Sequence, residues 1–278
     1  MERALLKRCT KKFSKDYIYS MALIKTAEEI EQLRKGGRIL ARILRELKEY
    51  IEPGMSTMDI NDKALELAET YGVEPVLLGY HPDFADFPYP AALCTSVNNV
   101  VQHGVPREDE ILEKGDIINL DMTIGYEGMI VDSGLTFPVG GETDEISQKL
   151  IDVTKEARKR GIAQAKPGNR VGDIGHAIQE YVESQGFSIV EVLCGHGVGH
   201  AVHEDPQIPN YGKPGTGPSL QVGMVVAIEP IVNVGTPDVI FDDDGDGYSV
   251  FTVDGKRSAH FEHTVAITEK GPEIMTQE

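Results

Sequence analysis

Twice in this chain an acidic residue closes an otherwise apolar run in the same register, Gly115-Asp-Ile-Ile-Asn-Leu-Asp121 and Gly223-Met-Val-Val-Ala-Ile-Glu229. Short apolar runs of this kind read as buried strands. An ionised carboxylate buried there without a partner costs several kcal/mol or more, so it pairs with a cation or binds metal. The pattern recurs: Ile130-Val131-Asp132-Ser133 is echoed by His260-Phe261-Glu262-His263, each opening a β-rich stretch, Gly134-Leu-Thr-Phe137 or Thr264-Val-Ala-Ile267. Four carboxylates thus come from equivalent places in two halves.

The helices repeat as well. Thr26 with Glu29 forms a capping-box pattern, and Ile30, Leu33, Ile39, Leu40, Ile43, Leu44 and Leu47 follow at helical spacing up to Pro53-Gly54. A second helix is predicted from about Thr57 to Tyr71, with Ile60, Ala64, Leu65, Leu67 and Ala68 on its apolar face and Gly72 as its stop. Pro53-Gly54, Asp59-Ile60, Glu66 and Gly72 return 114 residues later as Pro167-Gly168, Asp173-Ile174, Glu180 and Gly186. The second copy starts near Asp144 and runs through Ile146, Leu150, Val153, Ala157 and Ile162, then Ile174, Ala177, Ile178, Tyr181 and Val182. A long period present only twice indicates a duplicated single domain rather than a solenoid. The expected architecture is α/β (α+β): residues 21–278 as one domain, with halves at about 21–140 and 141–278 related by a pseudo-two-fold axis.

At 278 residues with 40% hydrophobic content the chain can bury a proper core. Its formal charge of −18 argues against a nucleic-acid-binding body and favours cations. Cys9, Cys94 and Cys194 are an odd number without CxxC spacing, which argues against a disulfide framework and for a reducing cytoplasm. No apolar run is long enough to span a membrane and no apolar segment follows the basic N-terminus as in a secretion signal, so neither membrane insertion nor export is expected. Residues 1–20 stand apart at about +4, leaving roughly −22 for the remainder. They read either as a mobile tail or over-long start, or as a basic arm that touches ribosomal RNA or another polyanion.

Histidines complete the duplicated pattern. His103-Gly-Val-Pro106 matches His203-Glu-Asp-Pro206, each just ahead of a carboxylate strand, whereas His196 has no counterpart. It lies in Gly195-His-Gly-Val-Gly-His200, where glycines let the backbone approach closely. A single Asp in a strand is ordinarily a capped or surface residue, but symmetric acids in matching strands are a joint pattern. Asp121, Asp132, His196, Glu229 and Glu262 can together hold two divalent cations, two carboxylates bridging, with donors suited to manganese, iron, cobalt or zinc. Ions about 3.5 Å apart generate hydroxide and polarise a carbonyl. His103 and His203 would then be proton handlers or hydrogen-bond donors beside the metals.

Other signals fail. The glycines at 195, 197 and 199 do not make GxGxxG, and His203-Glu204 does not continue to HExxH because Pro206 would break the helix. Asp242-Asp-Asp-Gly-Asp-Gly247 opens like a calcium loop, but its twelfth position is Val253 and its flanks read as strands, so a hairpin turn is expected.

From about Met21 to Glu278 the motifs resemble type I methionine aminopeptidase: Pro53-Gly54, Cys94-Thr-Ser-Val-Asn98, His103-Gly-Val-Pro106, Gly115 to Asp121, Gly195-His-Gly-Val-Gly199, His203-Glu-Asp-Pro206, Gly223 to Pro230 and Phe261-Glu-His-Thr264. The resemblance implies a pita-bread fold with its two halves around a curved antiparallel sheet. It also implies a dinuclear site, a monomer, and removal of the initiator methionine from nascent chains whose second residue is small. It assigns metal binding to Asp121, Asp132, His196, Glu229 and Glu262, with Asp132 and Glu262 bridging. His103 falls near the scissile nitrogen, His203 near the carbonyl oxygen, and Glu229 passes a proton from the attacking water to the leaving amine. The methionine pocket falls on Tyr80, Cys94, Val202 and Tyr248. Val202 and Tyr248 are smaller than the family's usual aromatics, several residues around Pro82 to Phe87 are inserted, and His200 departs from the usual loop residue.

Three alternatives share this fold. X-Pro aminopeptidases and dipeptidases normally carry a large extra N-terminal domain, whereas here the helical repeat begins by about Thr26. A type II methionine aminopeptidase carries a long helical insertion, but only 25 residues separate His203 from Glu229. Non-catalytic pita-bread binding modules have lost metal ligands, and all five candidates remain here.

Overall fold

Helix α1 (Ala27–Tyr50) begins at the expected box: the Glu29 N–H donates to Thr26 Oγ1 and the Thr26 N–H to Glu29 Oε2 at 2.7 Å. The computed structural model describes residues 24–82, 85–243 and 245–278, so the basic extension expected over 1–20 lies outside the described residues. Helix α2 (Thr57–Tyr71) is capped by Ser56 with Asp59 and stops at Gly72, whose φ of 65° is the left-handed turn that glycine takes without a Cβ penalty. Helix α3 (Glu145–Gln164) starts at the Asp144 cap, and α4 (Val171–Ser184) is opened by the Arg170 N–H donating to Asp173. Among the described residues no helix is long and apolar enough to cross a membrane.

The first-half strands are β1 (Glu74–Pro75), β2 (Cys94–Val97), β3 (Val100–Gln102), β4 (Ile117–Tyr126) and β5 (Met129–Pro138). Next come β6 (Ser188–Ile189), β7 (Cys194–Gly197), β8 (Glu204–Pro209), β9 (Val225–Ile228) and β10 (Ile231–Asn233). The last are β11 (Val239–Phe241), β12 (Val250–Thr252), β13 (Ser258–His260), β14 (His263–Thr268) and β15 (Gly271–Ile274). Strands β4 and β5 form a ten-residue antiparallel hairpin from Ile117 opposite Pro138 to Tyr126 opposite Met129, flanked by β1 and β2 on the far edge of β4. The second half builds β15-β14-β9-β7-β8. Two small sheets, β13-β10-β6 and β11-β12-β3, complete the antiparallel framework.

Period-two alternation sorts the central strands into two faces. Ile118, Leu120, Met122 and Ile124 turn toward α1 and α2, where they pack in one core with Leu33, Leu40, Ile43, Leu44, Leu47 and Ile60. Each such side chain contributes roughly 1.5–3 kcal/mol when fully buried. Asn119, Asp121 and Thr123 therefore take the opposite face, and on β5 the same alternation gives that face Asp132. A second core joins Leu150, Ile174, Ile178 and Val182 of α3 and α4 to Val226, Ile228 and Val265.

The shared register of the two carboxylate strands stops at their ends. Asp121 lies in mid-β4, whereas Glu229 falls one residue past β9. Pro230 has no N–H to give a ladder, so the chain changes sheets there and continues as β10. The neighbouring strand breaks at Phe261-Glu262, between β13 and β14. Ile228 pairs with His263 and Ile231 with His260, so Glu229 lies opposite Glu262 in a gap between two sheets. The acidic segment after β11 is the expected hairpin turn: Phe241 pairs with Val250, and the Asp246 N–H donates to the Asp242 carboxylate at 3.0 Å.

Candidate active site

The carboxylate-bearing faces of both halves meet in a cleft of about 470 Å³. Backbone and hydroxyl contacts fix their relation. The Glu262 N–H donates to Gly134 O at 2.8 Å, Ser133 Oγ donates to Glu262 O at 3.0 Å, and Thr264 Oγ1 accepts from Asp132 N–H at 2.9 Å. Asp132 and Glu262, from different halves, are thereby held side by side. Donor atoms of Asp132, His196 and Glu262 all lie within 4.8 Å of one another. Glu229 Oε1 is 3.5 Å from His196 Nε2, and Asp121 joins them on the cleft wall.

The glycines around His196 have a steric cause. A Cβ at Gly195 would sit 2.3 Å from the Ala227 carbonyl oxygen, and one at Gly197 would sit 2.2 Å from that of Asp205. Only a bare backbone passes between β8 and β9 here. His196 Nδ1 lies 2.9 Å from Gly197 O, which places the ring proton on Nδ1 and turns the Nε2 lone pair toward the carboxylates.

Electrostatics define what this cluster accepts. Burial, then the neighbouring Glu229, pushes Asp132 to about 7; burial pushes Glu229 to about 8. Burial and the adjacent acids hold Asp121 and Glu262 well above the carboxylate range. Burial lowers His196 to about 3 and His103 to about 4, so both imidazoles are neutral near pH 7. Among the described residues, Asp132 Oδ1 and Glu262 Oε1 are buried without a hydrogen-bond partner. Four crowded carboxylates with orphaned oxygens and a neutral imidazole lone pair fit a divalent metal cation, which would remove the cost of ionising them together.

The other expected residues also reach the cleft: Tyr80, Cys94, His103, Val202, His203 and Tyr248 all line it. His103 has φ of 59°, a strained setting for a non-glycine residue that persists only where its surroundings enforce it. His203 stands at the mouth, its ring 4.4 Å from that of His196 and its Nδ1 3.0 Å from the Tyr80 hydroxyl. Cys94 is buried with Tyr89, Ala91 and Tyr248 in a small apolar cluster.

Sequence reasoning gave no role to four residues. Tyr89 packs edge-on against Tyr248 at 4.9 Å, directly after the inserted segment, in which Asp83 and Phe84 fall outside the described residues. Phe87 from that segment meets the other side of Tyr248 at 5.6 Å, and its carbonyl accepts the Tyr248 hydroxyl. Gln102 Nε2 donates to Glu229 Oε2 at 3.0 Å, and His260 lies behind the same oxygen. A polar residue closing the apolar run Val100-Val101 was the available signal for Gln102.

The loop from His196 to His203 is fastened from outside. Glu204 Oε1 accepts from the His200 and Ala201 N–H groups, and its Oε2 pairs with Lys25 Nζ at 2.5 Å. His200 turns outward to Glu29 at 2.8 Å, adding a second tie to the start of α1. The Lys25 side chain is only 1% exposed. Lys25→Met should therefore destabilise the protein by about 3 kcal/mol in urea unfolding, because Glu204 is left charged and largely buried. An unchanged midpoint would contradict this role for the pair.

Residues 31–269 match the family model described as metallopeptidase family M24. The chain belongs to that family. Within it the chain stands with the methionine aminopeptidases. Methionine aminopeptidase 1 of Bacillus subtilis is 44% identical over 257 residues, covering 92% of this chain and 100% of that one. The crystal structure of a Thermotoga maritima methionine aminopeptidase matches with a TM-score of 0.86 at 45% identity, covering 92% of this chain and 99% of that chain. A prolidase from Pyrococcus horikoshii shares the pita-bread fold with a TM-score of 0.71, but at 22% identity, and this chain covers only 65% of it. That likeness extends to the fold alone.

Proposed function

We propose that this chain is a metal-dependent aminopeptidase that removes the initiator methionine from nascent polypeptides whose second residue is small. The observation that carries the reading is the convergence of Asp121, Asp132, His196, Glu229 and Glu262 with His103 and His203 on one cleft beside an apolar pocket. Asp121, Asp132, His196, Glu229 and Glu262 would hold two divalent ions, drawn from manganese, iron, cobalt or zinc, with Asp132 and Glu262 the pair held together across the two halves. Bound there, the metals supply Lewis acidity and a hydroxide nucleophile near neutral pH.

The chain's own groups supply the rest. His103, neutral by burial, offers an N–H to the scissile nitrogen, and His203, held by Tyr80, offers one to the carbonyl oxygen as charge develops there. Glu229 carries the proton from the attacking water to the leaving amine. Cys94, Tyr89, Val202 and Tyr248 present soft apolar surface suited to a thioether. The protein would work as a monomer in the cytoplasm, with residues 1–20 as a candidate contact to the ribosome near the exit tunnel.

The test is methionine release from Met-Ala-Ser and Met-Gly-Met-Met, compared with peptides carrying a bulky second residue and with X-Pro peptides. Release confined to the small second residue supports the reading, and preference for X-Pro bonds would replace it with the dipeptidase alternative. His103→Ala should lower turnover by about 10²–10⁴-fold with metal content near normal, as for loss of an acid–base group. Metal loss in that variant would place His103 among the ligands instead.

A further inference from the structure

His260 is fully buried, and neither ring nitrogen has a hydrogen-bond partner among the described residues. A buried polar group left unsatisfied is costly, so an imidazole kept in this state calls for a physical reason. Its backbone is pinned from the other half of the molecule. The His260 N–H donates to Thr136 Oγ1 at 3.0 Å, and its carbonyl accepts from Thr136 Oγ1 at 2.7 Å and from Asn119 Nδ2 at 2.9 Å. The ring is thereby aimed at the gap where Glu229 lies, with Nε2 3.5 Å from Glu229 Oε2. Gln102 already donates to that oxygen, while Oε1 faces His196.

We propose that His260 is a positioning residue for Glu229. Together with Gln102 it holds Oε2 from behind, Nε2–H toward the carboxylate, so that Oε1 alone is presented to the cation beside His196. Two donors on one oxygen lock the carboxylate rotamer and leave it one direction in which to bind. Nothing in the spacing marks His260, because it lies two residues before Glu262, whose carboxylate is the stronger signal.

This inference rests on the metal reading of the cleft but not on the identity of the substrate, and the test separates the two. Manganese binding to metal-free protein is measured by calorimetry for the wild type, His260→Leu and His260→Gln, with turnover of Met-Ala-Ser recorded under saturating metal. Loss of a group supporting a ligand typically weakens metal affinity or activity about 10–100-fold. His260→Leu should weaken manganese binding by that amount, and His260→Gln, which keeps a donor, should recover to within about threefold of the wild type. Gln102→Leu combined with His260→Leu should be non-additive, since both unload the same oxygen. If His260→Leu does not fold, His260→Asn, whose shorter amide is drawn back from Oε2, should weaken binding in its place. Wild-type affinity in the Leu or Asn variant, or a Gln variant as weak as Leu, would overturn the proposal. Absence of methionine release by a wild type that binds manganese would instead count against the proposed function, leaving the affinity comparison to decide the role of His260.

Discussion

Glutamine in place of Glu262 is expected to leave the metal-free protein at least as stable as the wild type while removing the stabilisation that metal confers and the hydrolysis that depends on it. The two effects have opposite signs for one reason. Without a cation Glu262 faces Asp132, Glu229 and Asp121 in a buried site, and burial with these neighbours raises its carboxyl well above the usual range. A neutral amide of the same shape relieves that crowding, since replacing uncompensated buried charge is often neutral or stabilising. With metal at a hundredfold excess over its dissociation constant the wild type gains about 2.7 kcal/mol, which the variant should lose. Turnover should fall by more than the roughly 10–100-fold that follows loss of a group merely supporting a ligand. Thermal unfolding with and without manganese reads both signs. A metal-free variant much less stable than the wild type would mean that Glu262 holds the fold together by contacts not accounted for.

The second large effect is a loss of metal-free stability as pH rises from about 6.5 to about 8. Asp132 and Glu229 have folded values near 7 and 8, above their ordinary values, so the native state holds protons that the unfolded state releases. Their contribution is present at low pH and is lost as pH rises through the folded values. His196 and His103 act in the other sense: lowered to about 3 and 4, they favour the native state above the ordinary histidine value and lose that contribution as pH falls. Between about pH 4.5 and 6.5 the two pairs oppose each other. Above 6.5 the histidine contribution levels off while the carboxylates titrate on, and stability should decline. Metal displaces their protons, so the metal-loaded protein should be nearly flat over that window, and binding at pH 6.5 should release protons. Urea midpoints across the range, with and without manganese, test this; a metal-free midpoint rising from pH 6.5 to 8 would contradict it.

What could be read from the sequence was whatever depended on local periodicity and on repetition. The cap at Thr26, the helix start near Asp144 and the stop at Gly72 were legible because spacing carries them, and the repeated acids with the glycine-flanked His196 marked five residues that share one cleft. The hairpin at Asp242 was legible because Val253 and the strand-like flanks argue against a calcium loop. The break at Glu229-Pro230 opposite Phe261-Glu262 was not, since it depends on which strands pair and not on either strand's own letters. Gln102, Tyr89 and His260 escaped for a related reason. Each approaches the site from a segment whose neighbours in sequence carry the stronger signal, and only three-dimensional packing turns them toward Glu229 or Tyr248.

The central claim is that five residues of this cleft hold the metal on which removal of methionine depends. Its most direct measurement adds manganese stepwise to metal-free protein while bound metal and free methionine from Met-Ala-Ser are recorded in the same samples. Release should rise with bound metal, reach its plateau at about two ions per chain as in a two-metal site, and vanish on chelation. A fully loaded protein that releases no methionine, or release that survives removal of all metal, would contradict the account.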